Sequence, residues 1–170
     1  AMKDVLVTRK DRDSYTLASK LPVMFSHSSC FSVNPHPRNV PEDVQRMLAD
    51  NDGVQMITAV PGFVSAAVHE WVAAGEQGPR PAVSVKDVAD HVEAARDVMG
   101  VDHVGVGGDY DGTGAMPTGM EDVGKYQNLF EELRSRGWSE DDLNKLGWRN
   151  ALRVLEANDG AYKAFMAAGE

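Results

Sequence analysis

Two polar side chains stand where an apolar run gives out. Residues 22–30, PVMFSHSSC, lead from apolar positions into a polar cluster that contains His27, and residues 103–112, HVGVGGDYDG, do the same with Asp109. A neutral imidazole at such a point can bind a metal ion or act as a general base. A carboxylate there can ligate a metal or move a proton. In an α/β barrel the catalytic groups come from the C-terminal ends of the strands, so these two positions outrank polar residues elsewhere. Gly107 and Gly108 precede Asp109 and let the backbone turn tightly or approach a ligand. Asp111-Gly112 instead suits a turn held by Asx hydrogen bonds. Arg38 sits in a loop stiffened by Pro35 and Pro37. A guanidinium suits bidentate binding of a carboxylate, although a lone loop arginine is usually a surface charge.

The remaining candidates are weaker. His91 falls on the apolar face of a predicted helix and reads as a core histidine whose hydrogen bonds are satisfied. His36, His69 and His103 have no partner pattern. Cys30 lacks the features of a thiolate site and reads as a buried bystander.

Elements follow from periodicity and punctuation. Strands are predicted at 21–26, 54–60 and 103–106. Helices are predicted at 1–7, 40–50, 85–99, 126–136 and 139–157, with a short one near 161–168. Pro41 stands in a first-turn position with Glu42 and Asp43 behind it, Ser84 and Asp87 form a variant of the capping box, and Gly100 stops the helix after Met99. Ser139 is an N-cap ahead of Glu140, Asp141 and Asp142. Residues 8–14 read as a solvated loop, and 71–81, with AAGEQGPRP, as a flexible insertion. Helices between strands imply parallel strands. Three parallel strands bury both faces and leave open edges, so association of this segment is expected, and the chain reads as the last segment of something larger. The opening AMKDVL reads as the interior of a helix, which puts the expected start upstream of Ala1.

Bulk properties exclude some classes. With 26 acidic and 17 basic residues the formal charge is -9, and no Lys/Arg cluster offers a nucleic-acid-binding face. The single cysteine rules out an internal disulfide framework and fits a reducing, cytoplasmic compartment. No apolar run reaches the roughly 18–20 residues that span a bilayer.

Taken together, PVMFSHSSC, RNVPEDV (38–44), VPGFVS (60–65), the block at 88–112, GMEDVGKY (119–126) and, weakly, LGWRNALRVLE (146–156) resemble the membrane (renal) dipeptidase family. Its members are zinc peptidases on an amidohydrolase-type TIM barrel. The resemblance implies an α/β chain that forms the C-terminal part of one barrel domain, 1–170, about strands six to eight of the eight with their helices. It implies that His27 ligates one of two zinc ions, that Arg38 binds the free carboxylate of a dipeptide substrate, and that Asp109 is a candidate for passing a proton to the leaving amine. Two metals about 3.5–4 Å apart activate a water and polarise the scissile carbonyl. A homodimer is also implied. The chain departs from the family in lacking a His-x-Asp pair anywhere, the bridging glutamate and the second metal histidine. One imidazole does not hold such a centre, since catalytic zinc takes about three protein ligands. The isolated segment is therefore expected to be inactive. The GWRN stretch, 147–150, also departs from the family's glycine- and asparagine-rich version, with an effect expected on helix packing. Two other readings stand beside this one: a metal-dependent amidohydrolase of another amide or lactone, and a non-catalytic truncated remnant.

Overall fold

The computed structural model describes residues 6–9, 15–17 and 19–168. Its first elements, β1 (Val7–Arg9) and β2 (Tyr15–Leu17), form an antiparallel ribbon with Val7 opposite Leu17. Most of the helix expected at 1–7 and residues 10–14 of the solvated loop expected at 8–14 lie outside the described residues, while Thr8 and Arg9 of that loop are strand instead. Thr8, Tyr15 and Thr16 are residue types that favour extended backbone, and all three lie in the paired stretch.

The site rests on a second sheet. Strands β3 (Met24–Phe25), β4 (Val54–Ile57) and β5 (Val104–Val106) run parallel in the order β3-β4-β5. Met24 pairs with Val54, and Gln55 with Val104. The ladder continues past the strand ends: Ser28 N donates to Met56 O (2.9 Å), Gly107 N to Ile57 O (2.9 Å) and Ala59 N to Gly108 O (3.2 Å). Three chain segments thus reach the same C-terminal edge in register. Strands lie about 4.8 Å apart, so residues two strands apart are ordinarily about 9–10 Å from one another. Here a Cβ on Gly107 would collide with the carbonyl oxygen of Ser26, across the width of β4. The sheet curls at this edge, and only a glycine fits its inner side.

Parallel strands need long crossovers. Helix α1 (Glu42–Asp50) joins β3 to β4, while α2 (Pro61–Val64), α3 (Ala66–Ala73) and α4 (Val85–Met99) join β4 to β5. The capping box starts α4: Ser84 N and Oγ both donate to Asp87 Oδ2, at 2.7 and 2.9 Å. Gly100, at φ 83°, ends it. Val88, His91, Val92, Ala95 and Met99 are buried against α1, β4 and β5, as the periodicity predicts. Helix α3 was not expected. Its AAVHEWVA run merges by composition with the polar stretch behind it, yet Ser65 caps it by accepting from Val68 N.

Helices α5 (Tyr126–Ser135), α6 (Glu140–Asn144) and α7 (Asn150–Ala168) complete the chain. A π-helical turn, Lys145–Arg149, links the last two, with Asn150 N donating to Lys145 O. Helical structure therefore runs on to Ala168, where two separate helices were expected. Gly147 in this turn lies against Phe130. Asn150 is buried, and its Nδ2 donates to Val101 O (2.7 Å) and Val104 O (2.8 Å). The GWRN stretch thus clamps the start of β5, the end remote from Asp109. No helix of the described residues is long and apolar enough to cross a membrane.

Candidate active site

His27 follows β3 by two residues and is half-buried. Its Nδ1 lies 2.8 Å from Ser26 Oγ. In the tautomer in which Nδ1–H donates to that hydroxyl, Nε2 carries the free lone pair, the arrangement of a metal-ligating histidine oriented by an outer partner. Nε2 has no hydrogen bond among the described residues.

The backbone behind His27 is held by buried polar groups that the sequence does not single out. Gln55, fully buried on β4, donates through Nε2 to Ser28 O (3.0 Å) and Ser29 O (3.1 Å), and accepts from Gln45 Nε2 on α1 (3.0 Å). Cys30 N donates to His91 Nδ1 (3.0 Å), and His91 Nε2 is 2.9 Å from Val64 O. His91 is thus the satisfied core histidine, a neutral imidazole with Nε2–H as donor. Burial pushes the Cys30 thiol up to about 12, so it remains protonated and is no nucleophile.

Burial also pushes His91 below its ordinary 6.5. The unfolded chain then takes up a proton near pH 6.5 while the folded chain does not. The contribution to stability is complete above that pH and is lost as pH falls from about 6.5 towards the lowered folded value. Denaturant midpoints are expected to drop between pH 7.5 and 5, with a smaller drop in His91→Gln. An equal drop in both would remove His91 as the cause.

Asp109 opens the turn Tyr110–Gly112 and is left-handed, at φ 60° and ψ 42°. Aspartate tolerates this region better than most residues, and such backbone persists only where its surroundings enforce it. Gly112 N donates to Asp109 O (3.0 Å), and a Cβ on Gly112 would strike the Asp109 carboxylate. That carboxylate makes no hydrogen bond or ion pair among the described residues. Gly108 N donates to Tyr126 Oη (3.0 Å), whose ring meets Tyr110 edge-on at 5.5 Å. Burial pushes the Tyr110 phenol up to about 12, and its buried oxygen finds no partner among the described residues.

Arg38 is exposed on the loop between β3 and α1, and its guanidinium stacks over Phe63 of α2, 5.1 Å from the ring centre. Two buried asparagines anchor that loop. Asn34 Nδ2 donates to Gly62 O and Phe63 O, and Asn39 Nδ2 to Asn34 O and Phe63 O. Arg38 makes no ion pair among the described residues, so it is a cation with its charge unspent. Loops after all three strands come together beside it: His36, Phe63 and residues 113–115 line one cavity of about 500 Å³. His36 and His69, without partners in sequence, are ring neighbours at 4.5 Å. His103 instead meets Gly53 O through Nδ1 (2.9 Å), near the start of β5.

One sheet edge therefore carries His27, Asp109 and, on the adjoining loop, Arg38. His27 fits as a single metal ligand. Among the described residues no three His, Cys, Asp or Glu side chains converge to hold an ion.

Comparison with known proteins fixes the lineage. The sequence model of the membrane dipeptidase family, peptidase family M19, matches residues 1–166. The chain belongs to the membrane dipeptidase family. It is 42% identical over 137 residues to the dipeptidase aclJ of Aspergillus oryzae, covering 81% of this chain and 30% of that protein. It is 38% identical over 170 residues to the dipeptidase verJ of Clonostachys rogersoniana, covering 99% and 40%. A metallopeptidase from Rhodobacter sphaeroides, solved with a phosphinate mimic of the dipeptide L-Ala-D-Ala, superposes with a TM-score of 0.70 at 27% identity, over 82% of this chain and 37% of that one. This membrane dipeptidase family chain thus spans 30–40% of the length of the curated relatives it matches.

Proposed function

We propose that this chain supplies the leaving-group and carboxylate-binding side of a zinc-dependent dipeptidase site, as the C-terminal segment of a (β/α)8 barrel. The observation that carries the reading is the curled sheet edge, where the Gly107 backbone meets Ser26 O and so brings the segments bearing His27 and Asp109 against one another. The family membership and the consecutive parallel order β3-β4-β5 support the barrel.

Each residue has a task that its setting suits. Arg38, unpaired and stacked on Phe63, grips the substrate's C-terminal carboxylate. Because it measures the distance from that carboxylate to the reacting bond, it favours dipeptides over longer chains. Asp109, with no partner competing for its carboxylate, takes a proton from the attacking water and passes it to the leaving amine. His27 contributes one imidazole through Nε2, with Ser26 holding the ring. The other ligands belong to the stretch of the relatives' length that this chain does not span. When bound, the two zinc ions supply Lewis-acid polarisation of the carbonyl and an activated water.

The test is Arg38→Ala in the full-length protein that carries this segment. KM for a dipeptide is expected to rise about 10- to 100-fold, the worth of a charge-assisted pair, while the corresponding dipeptide amide changes little. An equal effect on both, or cleavage of lactones and not dipeptides, would overturn the reading. The purified chain alone is expected to hold no stoichiometric zinc and to leave dipeptides intact. Elemental analysis and an assay on one sample check this, and zinc-dependent turnover would refute it.

A further inference from the structure

We propose that the cavity beside Arg38 is a side-chain pocket that selects dipeptides with an aromatic C-terminal residue. This rests on the reading that Arg38 holds the substrate's carboxylate. At about 500 Å³ the cavity is of the size that binds small molecules. Four of its wall residues carry aromatic rings: His36, Phe63, His69 and Trp71. His36 lies 4.6 Å from Phe63 and 4.5 Å from His69, centre to centre, so three rings form a continuous tilted surface. Such surfaces favour a further ring packed edge-to-face or offset.

Position ties this cavity to the chemistry. Phe63 is both a wall of the cavity and the platform under Arg38. A substrate's C-terminal carboxylate and side chain leave the same α-carbon, so a carboxylate held by Arg38 beside Phe63 leaves its side chain within reach of the aromatic wall. Residues 113–115, which follow directly on the turn that Asp109 opens, also line the cavity.

The wall is also pre-formed and nearly neutral. Trp71 Nε1 donates to Gln77 O (3.1 Å) and Gly78 O (3.3 Å), which ties the indole to the turn that follows α3. The stretch expected to be a flexible insertion is therefore anchored through Trp71. Burial, together with His69 and Arg38, pushes His36 below its ordinary value, so its ring is uncharged at neutral pH. The two charged residues along the lining, Glu76 and Arg80, are opposite in sign and both exposed. An apolar ring, rather than a charged side chain, is what these walls suit.

The experiment uses the full-length protein that carries this segment, loaded with zinc. Values of kcat/KM are compared for Ala-Phe and Ala-Ala. A ratio of about tenfold or more in favour of Ala-Phe is expected, the discrimination a shaped apolar pocket provides. Trp71→Ala, which empties a wall, and Ala115→Trp, which fills the cavity and leaves the walls in place, are each expected to cut that ratio about tenfold. Should Trp71→Ala lower Tm sharply, Ala115→Trp decides. A ratio near one in the unaltered protein, or a ratio unmoved by Ala115→Trp, overturns the pocket while leaving dipeptide hydrolysis standing. Failure to cleave either dipeptide overturns the parent reading and the pocket with it, so the two failures are distinct.

Discussion

Asp109→Asn in the full-length protein is expected to lower dipeptide turnover by about 10²–10⁴-fold, the usual worth of a positioned proton carrier, with zinc content unchanged. Asparagine is the informative replacement because it keeps the shape and, like aspartate, tolerates the left-handed backbone seen at φ 60°. Alanine would confound lost chemistry with strain. What asparagine cannot do is carry the proton. Because the carboxylate has no partner among the described residues, its loss unties no structure, and the denaturation midpoint is expected to stay put. Turnover and elemental analysis on the same preparation decide the matter. Zinc lost in step with activity would make Asp109 a ligand, and turnover within about threefold of the parent would remove it from the reaction.

His27→Ala should give the opposite signature: zinc affinity falls by about 100-fold or more, and activity falls with it. Deleting even an outer partner of a ligand costs about 10- to 100-fold, so deleting the ligand costs at least as much. Ser26→Ala, which removes only the group beside Nδ1, is expected to fall inside that smaller range. The fold should survive both changes. Ser28 and Ser29 are held by Gln55 and Cys30 by His91, independently of the imidazole. Competition with a chelator of known affinity measures the change. Undiminished zinc binding in His27→Ala would end its assignment as a ligand.

The two proposed site residues stand out in the sequence because each ends an apolar run, and that signal is local. So were the limits of α4, where Ser84, Asp87 and Gly100 act within a few residues of one another. What escaped depends on contacts distant in sequence. Strand β3 is shorter than the apolar run predicts because Asn51 reaches back to bind Ser19 O and Leu21 O and accepts from Val23 N, holding those residues in a turn. The buried polar set of Gln45, Gln55 and His91 joins α1, β4 and α4, and nothing in the spacing of those residues announces it. Arg38 reads by residue type alone as a surface charge and takes a carboxylate-binding role only from the family resemblance; its platform has no sequence signal, since Phe63 sits behind a different strand. His36 and His69 read as unrelated until the fold brought their rings together. The left-handed backbone of Asp109 is equally invisible in a sequence where Asp111-Gly112 carries the stronger turn signal.

The π-helical turn at Lys145–Arg149 has a bearing on how this chain tolerates changes in length. A hydrogen bond from Asn150 N to Lys145 O closes over one more residue than an α-helical bond does. The surplus residue is absorbed locally, so α6 before it and α7 after it keep their seats. Removing one residue elsewhere in a helix rotates everything downstream by about 100° and turns buried side chains to solvent. Removing one within this turn would let it relax to an ordinary α-helical turn, with Leu143 on one side and Asn150 and Val154 on the other still facing inward. The turn is a seam at which the helix can lose a residue without the start of β5 losing its clamp.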